Sequence, residues 1–306
     1  MNSYKQIDFQ SADELWESLS PTRNLDIPVP HKLLFRGQAD ASWGLLPASL
    51  RHEHINNCVV RRYNEHEQSN GIVKDEIFSL VQFIHHCDRI GIRIPNDSQE
   101  FREKYGKITN HGNTVYINQP SNWPNSELLD LMALAQHHGV PTRLLDWTTL
   151  PYTACYFAAS SSLFNYKSWT DDSKLAIWVL DEHRLSNDDL IKTFKSPGST
   201  SPHLAAQYGS FTVHPHNGSY RKGYSIRNVE EIIRPRENPI LLKLTIPSYE
   251  TVRLLGLCCI SGFSAADIYP SIDGVGKAVI DDRNIQAARY HHEARGIDIS
   301  FSHRKK

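Results

Sequence analysis

The sequence predicts an α+β fold, and three observations carry the prediction. Apolar runs of strand length occur at 33–36 and 142–147. Segments with apolar residues at helical spacing occur near 74–90 and 126–138. The two kinds of segment follow one another without the regular alternation that builds a parallel sheet. The 306 residues suffice for one large domain with an ample core, and no internal repeat or low-complexity tract interrupts them.

Ser11-Ala12-Asp13-Glu14 is a capping box: the serine side chain takes an orphan N–H and Glu14 reaches back. A short helix to about Leu19 follows, with Leu15, Trp16 and Leu19 on its apolar face. Pro21, Pro28 and Pro30 make the next segment extended. A strand over 33–36 ends at Gly37, where the chain turns. The stretch from about 51 to 125 is more polar and less regular, and reads as a partly helical insertion. Inside it, Ile77, Leu80, Val81, Ile84 and Ile90 predict an amphipathic helix over about 74–90. The Asn-, Gly- and Pro-rich run 95–124 reads as loop or poorly packed chain. Ser126 caps a helix lined by Leu128, Leu129, Met132 and Ala135, which Gly139 closes in a left-handed conformation.

Pro141 starts the strand 142–147. Its alternation puts Thr142, Leu144 and Asp146 on one face and Arg143, Leu145 and Trp147 on the other. Arg143, facing away from Asp146, is expected to pair elsewhere on the sheet. Pro151 suits the first turn of a helix over about 151–163, with Ala154, Cys155, Phe157 and Ala158 toward the sheet. Further strands are predicted at 175–180, 211–213 and 239–246, and helices near 248–258 and 264–281. The domain is drawn over 1–281, leaving 282–306 as a basic tail that ends His303-Arg304-Lys305-Lys306.

Composition narrows the function classes. The 33 Lys+Arg nearly cancel the 34 Asp+Glu, so no global field draws the molecule to nucleic acid or membrane. Cys58, Cys87, Cys155, Cys258 and Cys259 are odd in number and lack C-x-x-C spacing, which suits a reducing compartment. The N-terminus lacks the apolar stretch of a signal peptide, and no run reaches the ~18 apolar residues of a membrane span. A cytoplasmic protein is expected. Its oligomeric state is left open. No dinucleotide fingerprint, phosphate loop or G-x-S-x-G occurs. Adjacent histidines on a helix diverge by about 100°, so the pairs at 85–86, 137–138 and 291–292 are poorly placed to chelate one ion, and no metal is expected.

Two segments carry chemistry. Leu33-Leu34-Phe35-Arg36-Gly37-Gln38 and Gln136-His137-His138-Gly139-Val140-Pro141-Thr142-Arg143-Leu144-Leu145-Asp146-Trp147-Thr148 each set a charged group in an apolar run, where an unpaired charge is costly. Arg36 and Asp146 therefore either form an internal ion pair fixing two strands or share a ligand site. With Ala154 and Phe157-Ala158, these segments resemble the FRG domain, which takes its letters from Phe-Arg-Gly. Gln207-Tyr208-Gly209-Ser210-Phe211-Thr212 and Ile268-Tyr269-Pro270-Ser271-Ile272-Asp273-Gly274 also resemble that family. One position departs: the family's usual arginine four residues before the glutamine is His203 here.

The order of these elements is similar to that of ADP-ribosyltransferases. The resemblance implies a mixed, mostly antiparallel sheet flanked by helices, with NAD as substrate and a nucleic acid, a protein or water as acceptor. It implies a toxin or anti-phage role, while the lack of an apolar span leaves no membrane partner expected. By the same resemblance Arg36 grips a phosphate, Gly37 lets backbone approach the ligand, and Thr148 and Thr149 lie near the nicotinamide ribose. Gln207 falls near the catalytic element. Glutamine has no charge, so transfer needs a carboxylate nearby, for which Asp146, Glu230 and Glu231 are candidates. One of His137 and His138 suits a proton carrier, His138 being assigned to catalysis and His137 to binding. The alternative class is a non-enzymatic module that binds a nucleotide, nucleic acid or partner. Tyr269 to Gly274 reads mainly as a structural turn leading into a helix.

Overall fold

Seven strands form one sheet in a computed structural model that describes residues 3–23, 25, 32–51, 69–186, 188–198, 206–297 and 299. They are β1 Lys5–Asp8, β2 Leu33–Gln38, β3 Leu144–Thr148, β4 Lys174–Asp181, β5 Lys192–Phe194, β6 Gly209–Val213 and β7 Leu241–Pro247. Their order is β1-β7-β4-β2-β3-β6-β5. All neighbours are antiparallel except β1 and β7. The described α-helices are α1 Ala12–Ser18, α2 Ser69–Arg89, α3 Gln99–Tyr105, α4 His111–Asn118, α5 Leu129–His137, α6 Pro151–Leu163, α7 Val229–Ile232, α8 Thr251–Ile260, α9 Ala265–Ile268 and α10 Ile272–Glu293. The fold is therefore α+β with a mixed sheet, as the sequence predicts.

Strand alternation distributes the core. Phe35 lies opposite Thr148, so Thr148, Asp146 and Leu144 share the face of Phe35. On that face two separate groups of helices gather. Phe35, Ile177 and Leu244 pack with Leu15, Ala154, Leu255 and Ile268 from α1, α6, α8 and α9. Leu144, Phe211 and Val213 pack with Ile77, Tyr105 and Leu131 from α2, α3 and α5. The opposite face carries a smaller cluster in which Leu145, Trp147 and Trp178 meet Val229 and Ile232 of α7. The predicted alternation along 142–147 thus separates Leu144 from Leu145 and Trp147.

Part of the stretch 51–125 differs from the sequence reading of loop or poorly packed chain. Its run 95–124 folds into α3 and α4, and it brings Trp123 into the core at 2 % exposure. These helices, with α2, cover the β3-β6-β5 half of the sheet. Buried charge ties them down. Arg143, fully buried, donates through Nε to Glu76 Oε2 at 2.9 Å and also through Nη2 to the same carboxylate of α2. Trp123 Nε1 donates to Glu76 Oε2 at 2.7 Å and Ser49 Oγ to Oε1 at 2.7 Å, so the carboxylate is saturated. His216 Nδ1 faces Arg143 Nη2 at 3.4 Å. A guanidinium only donates, so Nδ1 is bare and Nε2 carries the proton, donating to Ser69 Oγ at 2.6 Å.

Smaller differences are local. Glu14 reaches back to the N–H of Gln10, one residue before the capping Ser11. Asn125, rather than Ser126, caps the turn ahead of α5. Gly139 does adopt positive φ, at +86°. The boundary drawn at 281 falls inside α10, which continues to Glu293. Gly37 lies hard against α6: a Cβ there would sit 2.0 Å from Ala154 O. Cys87, Cys155 and Cys258 are buried free thiols and Cys259 is exposed. Pro28, Pro30, Cys58, His203 and the tail residues 303–306 lie outside the described residues. No helix among the described residues is long and apolar enough to cross a membrane.

These contacts set three measurable outcomes. Glu76→Ala strands the Arg143 charge and is expected to cost roughly 3–5 kcal/mol, read as a fall in the urea midpoint. Gly37→Ala is expected to lower stability by about 3 kcal/mol or more in the same measurement, because backbone rather than a flexible side chain blocks the methyl. Burial, then the Arg143 charge, pushes the His216 imidazole down to about 3 from the ordinary 6.5. The unfolded chain therefore takes up a proton that the folded chain refuses. Thermal melts should show stability complete above about pH 6.5 and lost as the pH falls toward 3, with a shallower slope in His216→Gln.

Candidate active site

A cleft of about 600 Å³ opens between the two groups of helices. It exists because β2 and β3 hold a single ladder pair, Phe35 with Thr148. Arg36 fills the gap that results. Its Nη1 donates to the main-chain carbonyl of Asp146 at 2.7 Å and lies 3.6 Å from Oδ2 of the same residue. Its Nε is buried with no partner. Burial pulls the Arg36 pKa down, Asp146 opposes that shift, and Arg51 adds to it. The guanidinium nonetheless stays charged at any working pH.

Asp146 is the one exposed residue of β3, its side chain 61 % accessible. A relay fixes it. The main-chain N–H of Leu144 donates to Thr142 Oγ1 at 3.2 Å, and that hydroxyl donates to Gln136 Oε1. Gln136 must then turn its amide N–H outward, and Nε2 donates to Asp146 Oδ1 at 2.7 Å. Asp146 Oδ2 is left toward Arg36 and the cleft.

The residues singled out in the sequence fall as follows. Arg36, Gly37, His137, His138, Asp146, Thr148 and Gln207 all line the cleft, whereas Thr149 does not. His137 ends α5 and His138 is its cap, with ring centroids 5.1 Å apart and nearly perpendicular. Among the described residues no group of three His, Cys, Asp or Glu is arranged to hold a metal ion. The Thr148 hydroxyl is committed: it donates to the Gln207 carbonyl at 2.7 Å and accepts from the N–H of Leu150 at 3.0 Å. The N–H of Thr149 donates to the Tyr208 carbonyl at 3.2 Å. Both threonines thus tie the end of β3 to the 207–208 turn, where Tyr208 adopts φ of +48°. Such a conformation is uncommon in a tyrosine and costs of order 1–3 kcal/mol. The Gln207 side chain makes no hydrogen bond among the described residues.

Two of the candidate carboxylates are spent elsewhere. Glu230 accepts from the N–H of Leu45 through both oxygens, at 3.3 and 3.0 Å. Glu231 accepts from the N–H of Asn228 in a capping box at the start of α7. Asp146 remains, and Asp273 in the first turn of α10 joins it in the cleft. Tyr269, Ser271, Asp273 and Lys277 form a wall of the cleft, a role that the expectation of a mainly structural turn does not include. The turn is also tightly packed, since a Cβ at Gly274 would lie 1.9 Å from Tyr269 O. A legible signal is present in Asp273 and Lys277, four apart on one helix face beside a proline turn.

No curated protein and no solved structure matched the chain. The family model described as FRG domain matches residues 31–166. That stretch holds Arg36, Gln136, both cleft histidines, Asp146 and Thr148, while Gln207 and Tyr269 to Lys277 lie beyond it. Over residues 31–166, which build one side of this cleft, the chain is similar to the FRG domain family.

Proposed function

We propose that the cleft binds NAD and that the domain is ADP-ribosyltransferase-like, passing ADP-ribose to a nucleic acid, a protein or water. A toxin or anti-phage role belongs to the same reading. The observation that carries it is the meeting of Arg36, His137, His138, Asp146 and Gln207, distant in sequence, around one cleft. A phosphate suits the Arg36 fork, whose Nε has no protein partner. In the reaction, the bond from the ribose C1′ to the nicotinamide nitrogen breaks and its electron pair leaves with that nitrogen. Asp146 stabilises the positive charge left on the ribosyl group. The acceptor oxygen bonds to C1′ and gives its proton to the His138 imidazole.

A second reading has its own support. Gln207 is neutral where a transferase needs a charge, which favours a module that binds a nucleotide, nucleic acid or partner without turnover.

Purified protein incubated with NAD is expected to release nicotinamide, and NAD is expected to raise the melting temperature. Asp146→Asn should lower turnover by about 100-fold or more with an unchanged circular dichroism spectrum. Arg36→Lys, which keeps the charge and loses the fork, should raise KM more than it lowers kcat. A melting shift without nicotinamide release supports the binding module. Absence of both overturns the NAD reading and leaves the module only a nucleic acid or partner to bind.

A further inference from the structure

Lys277 places its ammonium nitrogen 3.7 Å from the centroid of the Tyr269 ring, and both residues line the cleft. At that distance the ring's electron-rich face is occupied by a cation of the protein itself. Phe157 meets the same ring edge-on, with centroids 6.2 Å apart and planes at 83°. The Asp146 carboxylate is near enough for its charge to act on Tyr269, whose hydroxyl pKa is raised chiefly by burial and further by Asp146 and Asp281. An aromatic face and an exposed carboxylate lining one cleft are the chemistry that recognises an organic cation.

We infer that Lys277 is a stand-in that leaves the Tyr269 ring when ligand enters, and that the cleft selects a cationic nitrogen heterocycle there. This deepens the proposed nucleotide site and rests on that reading of the cleft. Lys277 has somewhere to go. Asp273 and Asp281 stand four residues before and after it on α10, on the same helix face. Asp273 also lines the cleft, and Asp281, which accepts from the Tyr156 hydroxyl at 2.8 Å, already feels the Lys277 charge. The ammonium therefore keeps an ionic neighbour when displaced. A neutral ring of equal size would trade that contact for stacking alone and would leave Asp146 without a second counter-charge. Lys277 in this role is a gate on the ligand's identity rather than a ligand contact.

The test uses two probes on the whole chain: 1-methylnicotinamide, a permanent cation, and nicotinamide, its neutral counterpart. Calorimetric titration is expected to show the cation binding at least about fivefold more tightly. Lys277→Ala should tighten both probes, since the ring face is freed, and should tighten the cation more, by about 3–10-fold, since a repelling charge is removed as well. Tyr269→Phe should keep the preference and Tyr269→Leu should lose it, each checked for an unchanged melting curve without ligand. Equal affinity for the two probes, or weaker cation binding in Lys277→Ala, overturns the inference. Neither probe carries phosphate, so the result is separable from NAD turnover. Cation preference without turnover sinks the enzyme reading alone, and turnover without preference sinks this one alone.

Discussion

The guanidinium of Arg36 stands where backbone hydrogen bonds would otherwise join two strands. β2 and β3 share one ladder pair and then part, and Arg36 spans the opening by donating to the carbonyl of Asp146. A central break in a sheet exposes polar backbone that must be satisfied. Here an arginine satisfies it with a group that also carries charge. The opening, the exposure of Asp146 and the approach of α5 and α10 to the same hollow all depend on that substitution. A fully paired β2–β3 ladder would close the cleft.

The cleft also requires two walls, and these come from separate groups of helices on one sheet face. The group over β3 and β6 is held by the buried Glu76–Arg143 pair. Removing two charges from water costs several kcal/mol per ion, and only complete hydrogen bonding offsets it. The carboxylate receives Arg143, Trp123 and Ser49, which meets that condition. Arg36 in β2 and Arg143 just ahead of β3 thus serve different ends: one faces a solvent-reachable hollow, the other is sealed with its partner.

Several residues serve fold and site at once. Gly37 lines the cleft, yet its missing side chain lets α6 approach β2. Thr148 lines it too, with its hydroxyl already used at both ends. Among the described residues, groups left with capacity include Asp146, Arg36 Nε, His138, Gln207, Ser271 Oγ and Lys277, the last resting on Tyr269. The Thr142–Gln136–Asp146 relay explains the composition of the 136–148 segment: Gly139 reverses the chain so that the end of α5 and the start of β3 face each other.

What is legible in the chain and what is not divides along physical lines. Central strands β2, β3, β4, β6 and β7 stand out because buried strands need apolar runs, and α6 because Pro151 and its alanine face mark it from start to finish. The edge strands β1 and β5 do not, since Lys5-Gln6-Ile7-Asp8 and Lys192-Thr193-Phe194 are half-solvated and show no apolar signature. The helices between 95 and 124 are hidden by Asn, Gly and Pro, whose local preference yields here to a shared core around Trp123. By itself the sequence determined the fold class, the polar groups that needed partners and the neighbours of Arg36 and Asp146 along the chain. Only the tertiary structure decided that Glu230 and Glu231 are spent on backbone, that Arg143 belongs to Glu76, and that α10 supplies the second wall. Those are pairings across long sequence separations, and hydrogen-bond capacity is assigned by distance in space.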